Sequence, residues 1–322
     1  MPSASCRLNE TGHVLAENFA RHGFTIAFAV VSVLLQMFVS YKRYARLLTV
    51  LTLSLLAYVA VVFIIRLDWS TVGWSMIGVG AALTPAAATV IVAIFGTTIS
   101  PYLFFWQSSE EVEEINQVAH RKPLIEAPSQ APRAFSRIRI DTLAGMLVSN
   151  LVALAIMIST AATLHAAGKT DIQTAADAAR ALEPVAGKFA FLLFSLGIVG
   201  TGLLAIPVLA GSTAYAVCET RGWKVGLDNK PWEAVGFYTI IAAAVGFGLA
   251  IDYSGLDPIK ALYWSAVVNG LIAVPMMAAM MLVATSRKKM GEFTAGPVLR
   301  ALGWTSTAVM AAAAVAMIAT SV

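Results

Sequence analysis

An apolar segment over residues 87–107 is interrupted at its middle by helix-breaking and hydroxyl residues. The segment is long enough to cross a bilayer, which takes about 20 predominantly apolar residues. Its centre reads Gly96-Thr-Thr-Ile-Ser-Pro101, and a proline inside a helix removes a backbone donor and clashes with the preceding turn. In hydrocarbon, the freed carbonyls must be satisfied by protein, water or an ion. A broken spanning helix of this kind is typical of transporter binding sites.

Composition predicts an integral membrane protein. Of its 322 residues, 58% are hydrophobic and 12% are charged, whereas a soluble domain carries about 25% charged residues. The net charge of +4 would suggest nucleic acid in a soluble chain, but here we assign it to cytoplasmic loops and expect no nucleic-acid partner. Cys6 and Cys218 form no CxxC pair, so neither a disulfide framework nor a thiolate metal site is expected.

The hydropathy pattern predicts a polar N-terminal tail over residues 1–23 and a single transmembrane domain over residues 24–322. Basic residues concentrate in alternate connections, so the positive-inside rule places the odd-numbered loops in the cytoplasm and both termini outside. We predict an irregular cytoplasmic loop over residues 122–137 and a short amphipathic outer helix within 166–188. The eight predicted spans are 24–41, 47–65, 87–107, 142–165, 189–217, 234–252, 261–285 and 304–322.

Two interpretations of the interrupted segment stay open at this point. Backbone carbonyls and the hydroxyls of Thr97, Thr98 and Ser100 are oxygen ligands that suit hard cations. Alternatively, Pro101 produces a structural kink whose hydroxyls bond back to the preceding turn.

Other polar groups near or inside the spans are few. Asn269 lies within segment 261–285 and precedes Pro275, which predicts a second irregular helix, although intramembrane amides usually hydrogen-bond between helices. A run of carboxylates at a cytoplasmic helix end is either a solvated face neutralised by loop bases such as Arg121 and Lys122, or a cation exit vestibule. That run comprises Glu110, Glu111, Glu113 and Glu114.

Neither an enzyme nor a proton-coupled carrier is favoured. No Asp, Glu, Lys or Arg lies deep inside a predicted span, whereas a proton-coupled carrier normally keeps at least one. The sequence contains no HExxH, GxSxG, Walker loop or dinucleotide fingerprint, which are the motifs of metalloproteases, hydrolases and nucleotide-binding enzymes. We therefore expect no enzymatic activity and no cofactor.

The stretch Gly96-Thr-Thr-Ile-Ser-Pro-Tyr-Leu-Phe-Phe-Trp-Gln107 resembles the sixth transmembrane helix of the NRAMP divalent-metal transporters, whose unwound centre usually reads Met-Pro-His. The stretches Tyr41–Leu48 and Gly200–Gly211 are also similar to the bacterial NRAMP-like branch. The resemblance implies an all-α polytopic membrane protein with a LeuT-type inverted-repeat bundle. It implies alternating-access transport of a divalent metal ion, in a bacterial inner (cell) membrane.

The resemblance also implies a set of metal-site residues. The family's carbonyl ligand falls on Thr97, its Met on Ser100 and its following His on Tyr102, and Asn269 joins them as a polar group inside a span. Thioether sulfur favours softer transition metals. Its absence at Ser100 leaves Mg²⁺ open beside Mn²⁺ and Fe²⁺.

A second departure concerns the number of helices. The eight predicted spans correspond to helices four to eleven of the family, so helices one to three are expected to be missing. In the family, the first helix contains an Asp-Pro-Gly-type break whose Asp and Asn side chains bind the metal. No such sequence is present here. Two alternatives follow: a truncated, non-transporting remnant, or half of a split transporter completed by a separate chain. Either way, this chain alone is expected to transport poorly or not at all.

Overall fold

The computed structural model consists of helices joined by turns and loops, with no β-strand among its described residues. The predicted polar tail, apart from Gly23, and the stretch Tyr41–Leu48 lie outside those residues. The described ranges are 23–38, 49–50, 52–65, 67–76, 84–118, 120–169, 172, 174–227 and 229–321.

Thirteen α-helices have described bounds in these ranges, several of them joined by single turns of 3₁₀ or π-helix, and residues 49–50 and 52 are also helical. The α-helices are α1 (Gly23–Phe38), α2 (Ala57–Ile64), α3 (Trp69–Met76), α4 (Pro85–Thr98), α5 (Pro101–Gln117), α6 (Ala131–Thr160), α7 (Ala175–Ala179), α8 (Glu183–Ala186), α9 (Ala190–Arg221), α10 (Val235–Tyr253), α11 (Pro258–Ala284), α12 (Arg287–Met290) and α13 (Pro297–Ser321). The short turns are Leu53–Leu56, Pro128–Gln130, Ala161–His165, Arg180–Leu182, Gly187–Phe189 and Gly291–Phe293.

Long apolar helices make the chain an all-α polytopic membrane protein. Among the described residues, six helices are long and apolar enough to cross a membrane, and a bent pair over Leu53–Ile64 and Trp69–Ser75 brings the total to seven if it forms one span. The first predicted span corresponds to the shorter apolar helix α1. The six are Pro85–Asn116, Pro128–His165, Gly187–Arg221, Val235–Tyr253, Pro258–Ala284 and Pro297–Thr320.

The chain divides into two compact units. The first comprises residues 1–51 and 199–258, and the second comprises residues 52–198 and 259–322. In the first unit, the buried ring of Phe237 on α10 makes edge-on contacts with Tyr215 of α9 at 4.9 Å and with Tyr238 at 5.6 Å between ring centroids. These aromatic contacts pack α10 on the C-terminal part of α9.

One core of the second unit joins α2 and α6 to the short helices that precede α9. The hydroxyl of Tyr58, a fully buried residue, donates to the Ala178 carbonyl at 3.3 Å, and its ring makes an edge contact with Phe194. Ala181 and Leu182 are completely buried in the same cluster. The helix expected within residues 166–188 is present as two short helices, α7 and α8.

Two boundaries predicted from prolines were wrong. The irregular loop expected over 122–137 ends at Gln130, because Pro132 lies in the first turn of α6, where a missing N–H breaks no intrahelical bond. The second irregular helix expected near Asn269 is absent, since α11 continues through Pro275. Neighbouring helices in a membrane protein can accommodate an internal proline without a break.

Candidate functional site

The interruption predicted between Gly96 and Tyr102 is confirmed and is confined to two residues. Helix α4 ends at Thr98 and α5 begins at Pro101, which leaves Ile99 at φ −110°, ψ 74° and Ser100 at φ −88°, ψ 119°. Proline restricts its preceding residue to extended backbone, and the ψ of Ser100 follows that rule. Pro101 itself starts α5 at a position that needs no donor.

The interruption leaves consecutive carbonyls without backbone donors. Ile99 N–H donates to Phe95 at 2.7 Å, and the next bond across the break runs from Leu103 N–H to the Ser100 carbonyl at 3.0 Å. Ser100 N–H does not donate to the Gly96 carbonyl, and Pro101 has no N–H to donate to the Thr97 carbonyl. A carbonyl in the interior of a helix normally accepts a backbone hydrogen bond, so the break makes oxygen ligands available between α4 and α5.

The side chain of Ser100 partly compensates for this loss. Its Oγ lies 2.9 Å from the Gly96 carbonyl oxygen and 3.2 Å from that of Thr97, and the residue is only 2% exposed. A hydroxyl has a single hydrogen, so it donates fully to one of these carbonyls at a time. When Gly96 receives it, the Thr97 carbonyl and the Ser100 lone pairs are both free.

The two threonine hydroxyls bond back to the helix. Thr97 Oγ1 and Thr98 Oγ1 both donate to the Ile94 carbonyl, at 2.8 and 3.0 Å. This is the arrangement expected of a structural proline kink. It coexists with donor-free carbonyls, so both interpretations of the sequence describe part of the geometry.

Helix α11 touches α4 directly beside the break. A Cβ atom added at Gly96 would lie 2.0 Å from the Ala266 carbonyl oxygen and 2.5 Å from the Gly270 nitrogen, and one added at Gly270 would lie 2.5 Å from the Val92 carbonyl oxygen. Only glycine permits two helix backbones to approach this closely. Because Thr97 and Asn269 are the chain neighbours of these glycines, the structure brings the helices of both predicted site residues together.

Two of the predicted site residues are available for new contacts. Asn269 and Tyr102 are half-buried, and neither side chain has a hydrogen-bond partner among the described residues. Asn269 lies on α11 next to the Gly96–Gly270 contact, and Tyr102 lies in the first turn of α5.

Apolar side chains pack around the break. Ile99, Phe95 and Phe104 pack against a buried cluster made of Ala273 and Met277 on α11 and Met310 on α13. A polar group in such surroundings interacts strongly with any ion that replaces its hydrogen-bond partners, because the local dielectric is low.

The carboxylates at the end of α5 are engaged by arginines. Arg137 of α6 contacts Glu114 and also Glu111, the latter at 2.6 Å, and Arg121 contacts Glu114 at 2.9 Å. Arg121 was an expected partner, whereas Lys122 has no carboxylate partner among the residues described. These contacts favour a clamp between α5 and α6 over an open cation vestibule. Within the described part of the chain, no group of three His, Cys, Asp or Glu side chains is placed to hold a metal.

One buried amide was missed by the sequence interpretation. Gln36 of α1 is 3% exposed, and its Nε2 donates to the Ser32 carbonyl at 3.2 Å. Its Oε1 has no donor among the described residues. The sequence pattern that could have indicated this amide is the placement of Gln36 four residues after Ser32 within an apolar segment.

The chain matches the family model described as "Natural resistance-associated macrophage protein-like" over residues 17–320. The chain belongs to the Nramp family. Its relatives include the "Divalent metal cation transporter MntH" of Caldanaerobacter subterraneus subsp. tengcongensis, which is 28% identical over 77% of this chain and 54% of the relative. The protein of the same description from Pectobacterium carotovorum subsp. carotovorum is 25% identical over 78% of this chain and 56% of the relative.

The chain therefore spans just over half the length of these two relatives. The resemblance predicted from the broken helix is confirmed at the level of the family. Both relatives are described as transporters.

Proposed function

We propose that this chain takes part in the transmembrane transport of divalent metal cations by alternating access, with the break between α4 and α5 lining the cation site. The observation that carries the proposal is the break that deprives the Gly96 and Thr97 carbonyls of their helical backbone donors, beside the buried hydroxyl of Ser100. Support also comes from the two relatives described as divalent metal cation transporters.

The proposed ligands are the Thr97 carbonyl and the Ser100 hydroxyl oxygen. With the hydroxyl hydrogen turned to Gly96, both oxygens present lone pairs without any loss of hydrogen bonding inside α4. Asn269 and Tyr102 are proposed as further oxygen donors. An all-oxygen set suits hard cations such as Mg²⁺ and Mn²⁺.

Two neutral oxygens form only half of a cation site. A divalent ion in a low-dielectric setting needs carboxylate or other anionic ligands to offset its desolvation. We propose that a further broken helix supplies them, either on the same polypeptide or on a separate chain. The chain alone is then expected to bind and transport cations poorly, and the bacterial inner membrane is the proposed location.

The test is Mn²⁺ flux into proteoliposomes that contain this chain joined to the N-terminal helices of the Caldanaerobacter relative. Ser100→Ala removes one ligand and is expected to lower the flux at least about tenfold, the effect of ~1.4 kcal/mol on a rate. The matched control is Ser212→Ala, because Ser212 is also 2% exposed and also bonds a helix carbonyl, that of Leu209 at 3.0 Å, but lies in the continuous helix α9.

Full flux in the Ser212 variant and little in the Ser100 variant would support the site. Absence of cation-dependent flux from the completed chain would overturn the transport proposal and favour a non-transporting remnant. Full flux from both variants would leave the transport proposal in place but would show that Ser100 is not a ligand of the cation.

A further inference from the structure

The loop between α11 and α13 folds back onto the start of α6. The rings of Phe293 and Phe135 meet edge-on with centroids 5.5 Å apart, and Ala295 N–H donates to the Ala284 carbonyl at 2.9 Å. The first contact attaches the loop to α6, and the second closes the loop at its base. The short helix α12, which ends three residues before Phe293, is therefore held near the first turns of α6.

This attachment gathers basic side chains on one surface. Arg139 lies four residues after Phe135 and so on the same face of α6, while α12 is itself basic. All members are exposed and have no ion-pair partner among the described residues, in contrast to Arg121 and Arg137. The carboxylate of Glu292 is the one acidic group of the loop. The basic surface comprises Arg139, Arg287, Lys288, Lys289 and Arg300.

Exposed apolar side chains continue directly from the basic surface along the spanning helices. Leu143, one turn beyond Arg139, is 61% exposed, and Val298 and Leu302, on either side of Arg300, are 72% and 61% exposed. Cationic groups beside such an apolar surface match an amphiphile with an anionic head and acyl chains. A small soluble anion would contact only the basic groups and not the apolar side chains.

We propose that the basic surface binds the headgroup of an anionic phospholipid, whose acyl chains lie along α6 and α13. Clusters of Lys and Arg at the cytoplasmic ends of spanning helices attract anionic lipids, and the charge pattern places this loop on the cytoplasmic side. The lipid would reinforce the attachment of α12 to α6 made by the two phenylalanines. This inference is independent of the proposed cation site.

The test counts lipids bound to the full chain by native mass spectrometry, in mixed micelles containing equal amounts of phosphatidylglycerol and phosphatidylcholine. The triple variant R287Q/K288Q/K289Q is expected to lower phosphatidylglycerol binding about tenfold or more and to leave phosphatidylcholine binding unchanged. The matched control, R221Q/K224Q/K230Q, removes the same charge from the connection between α9 and α10, another predicted cytoplasmic loop. It is expected to retain phosphatidylglycerol.

Equal losses in both triple variants, or no loss in either, would overturn a localised lipid site. Phe293→Ala tests the assembly of the surface because it removes the attachment to α6 without changing any charge. Reduced phosphatidylglycerol binding is expected, and unchanged binding would contradict the role of the Phe135–Phe293 contact. If the triple variant fails to fold, Arg139→Gln alone is expected to weaken binding about threefold, and retention of full binding would count against the proposal.

Discussion

Pro101 and Pro275 lie in neighbouring spanning segments of the same unit, yet only the first interrupts its helix. Around Pro101 the chain offers Ser100, whose hydroxyl reaches two of the carbonyls that the interruption exposes. Before Pro275 the residues are Leu271-Ile-Ala-Val274, and none of them has a polar side chain. A break inside a membrane requires local replacement of the lost hydrogen bonds. The comparison therefore indicates that the serine, in addition to the proline, determines where the helix opens.

The largest expected effect concerns the glycine contact that joins these two segments. Gly96→Ala places a methyl group 2.0 Å from the Ala266 carbonyl oxygen, a backbone atom that cannot yield without moving α11. We expect a loss of about 3 kcal/mol, the upper part of the range for overpacking, measured as a lower midpoint of thermal unfolding in detergent. Gly246→Ala on α10 is the control, because nothing lies within 4 Å of its added Cβ. An unchanged midpoint for Gly96→Ala would contradict the contact.

Exchanging each proline for alanine tests whether Pro101 is needed for the break while Pro275 has no such effect. Pro101→Ala restores an N–H that can bond the Thr97 carbonyl, so α4 and α5 are expected to fuse, with slower amide hydrogen exchange over residues 99–103 and weaker cation flux in the completed chain. Pro275→Ala is expected to change neither exchange near the break nor flux. Fast hydrogen exchange at residues 99–103 in the Pro101 variant would show that the break persists without the proline and that Ser100 is sufficient to maintain it.

A smaller effect is expected from the clamp at the far end of α5. Arg137→Gln removes contacts to both Glu111 and Glu114, at a cost of about 1 kcal/mol, since the pairs are only partly shielded from solvent. It is expected to raise hydrogen exchange in α5 and not in α4. Arg133→Gln is the control, because Arg133 is an exposed base of the same helix without an ion pair among the described residues. Equal exchange in both helices would mean that α5 does not move independently across the break.

The smallest effect is expected far from the break, in the helix α7. Hydrogen bonds from Lys169 and Thr174 lower the pKa of Asp177 from 3.8 to about 2. A carboxyl whose pKa is lowered by folding stabilises the fold above its unfolded pKa, and this contribution is lost as the pH falls from 3.8 towards 2. Protection of residues 174–189 against hydrogen exchange should decline over that range, while Asp177→Asn should show weaker protection that does not change with pH. Protection that changes equally in both proteins would contradict this assignment.

The features of the site that depend on residues adjacent in the sequence were predictable. Pro101 and the residues around it indicated the break, because the backbone rules for proline act over a few positions. The same rules failed at Pro275, where the outcome depends on packing against other helices. The close approach of Gly96 to Gly270 and the packing of Met310 near Ile99 join residues more than 170 positions apart, and a single sequence carries no signal for such contacts.

The extent of the helices was predicted less well than their existence. Helix α6 begins at Ala131, eleven residues before the predicted span over 142–165, because its polar first turns lack the apolar signal on which the prediction rested. Helix α5 likewise continues to Gln117, through the carboxylates that Arg121 and Arg137 neutralise. Hydropathy locates the part of a helix inside the bilayer and not the part that extends beyond it.

Electron–nuclear double resonance on bound Mn²⁺ tests most directly whether the Thr97 carbonyl binds the transported cation. The completed chain would be produced with ¹³C in the carbonyl carbons of all threonines and loaded with Mn²⁺. We predict a ¹³C coupling from a directly bound carbonyl, which disappears in Thr97→Ser, where the ligand stays but its label is lost, and persists in Thr98→Ser. Absence of the coupling in the unsubstituted protein, or its persistence in Thr97→Ser, would contradict the claim.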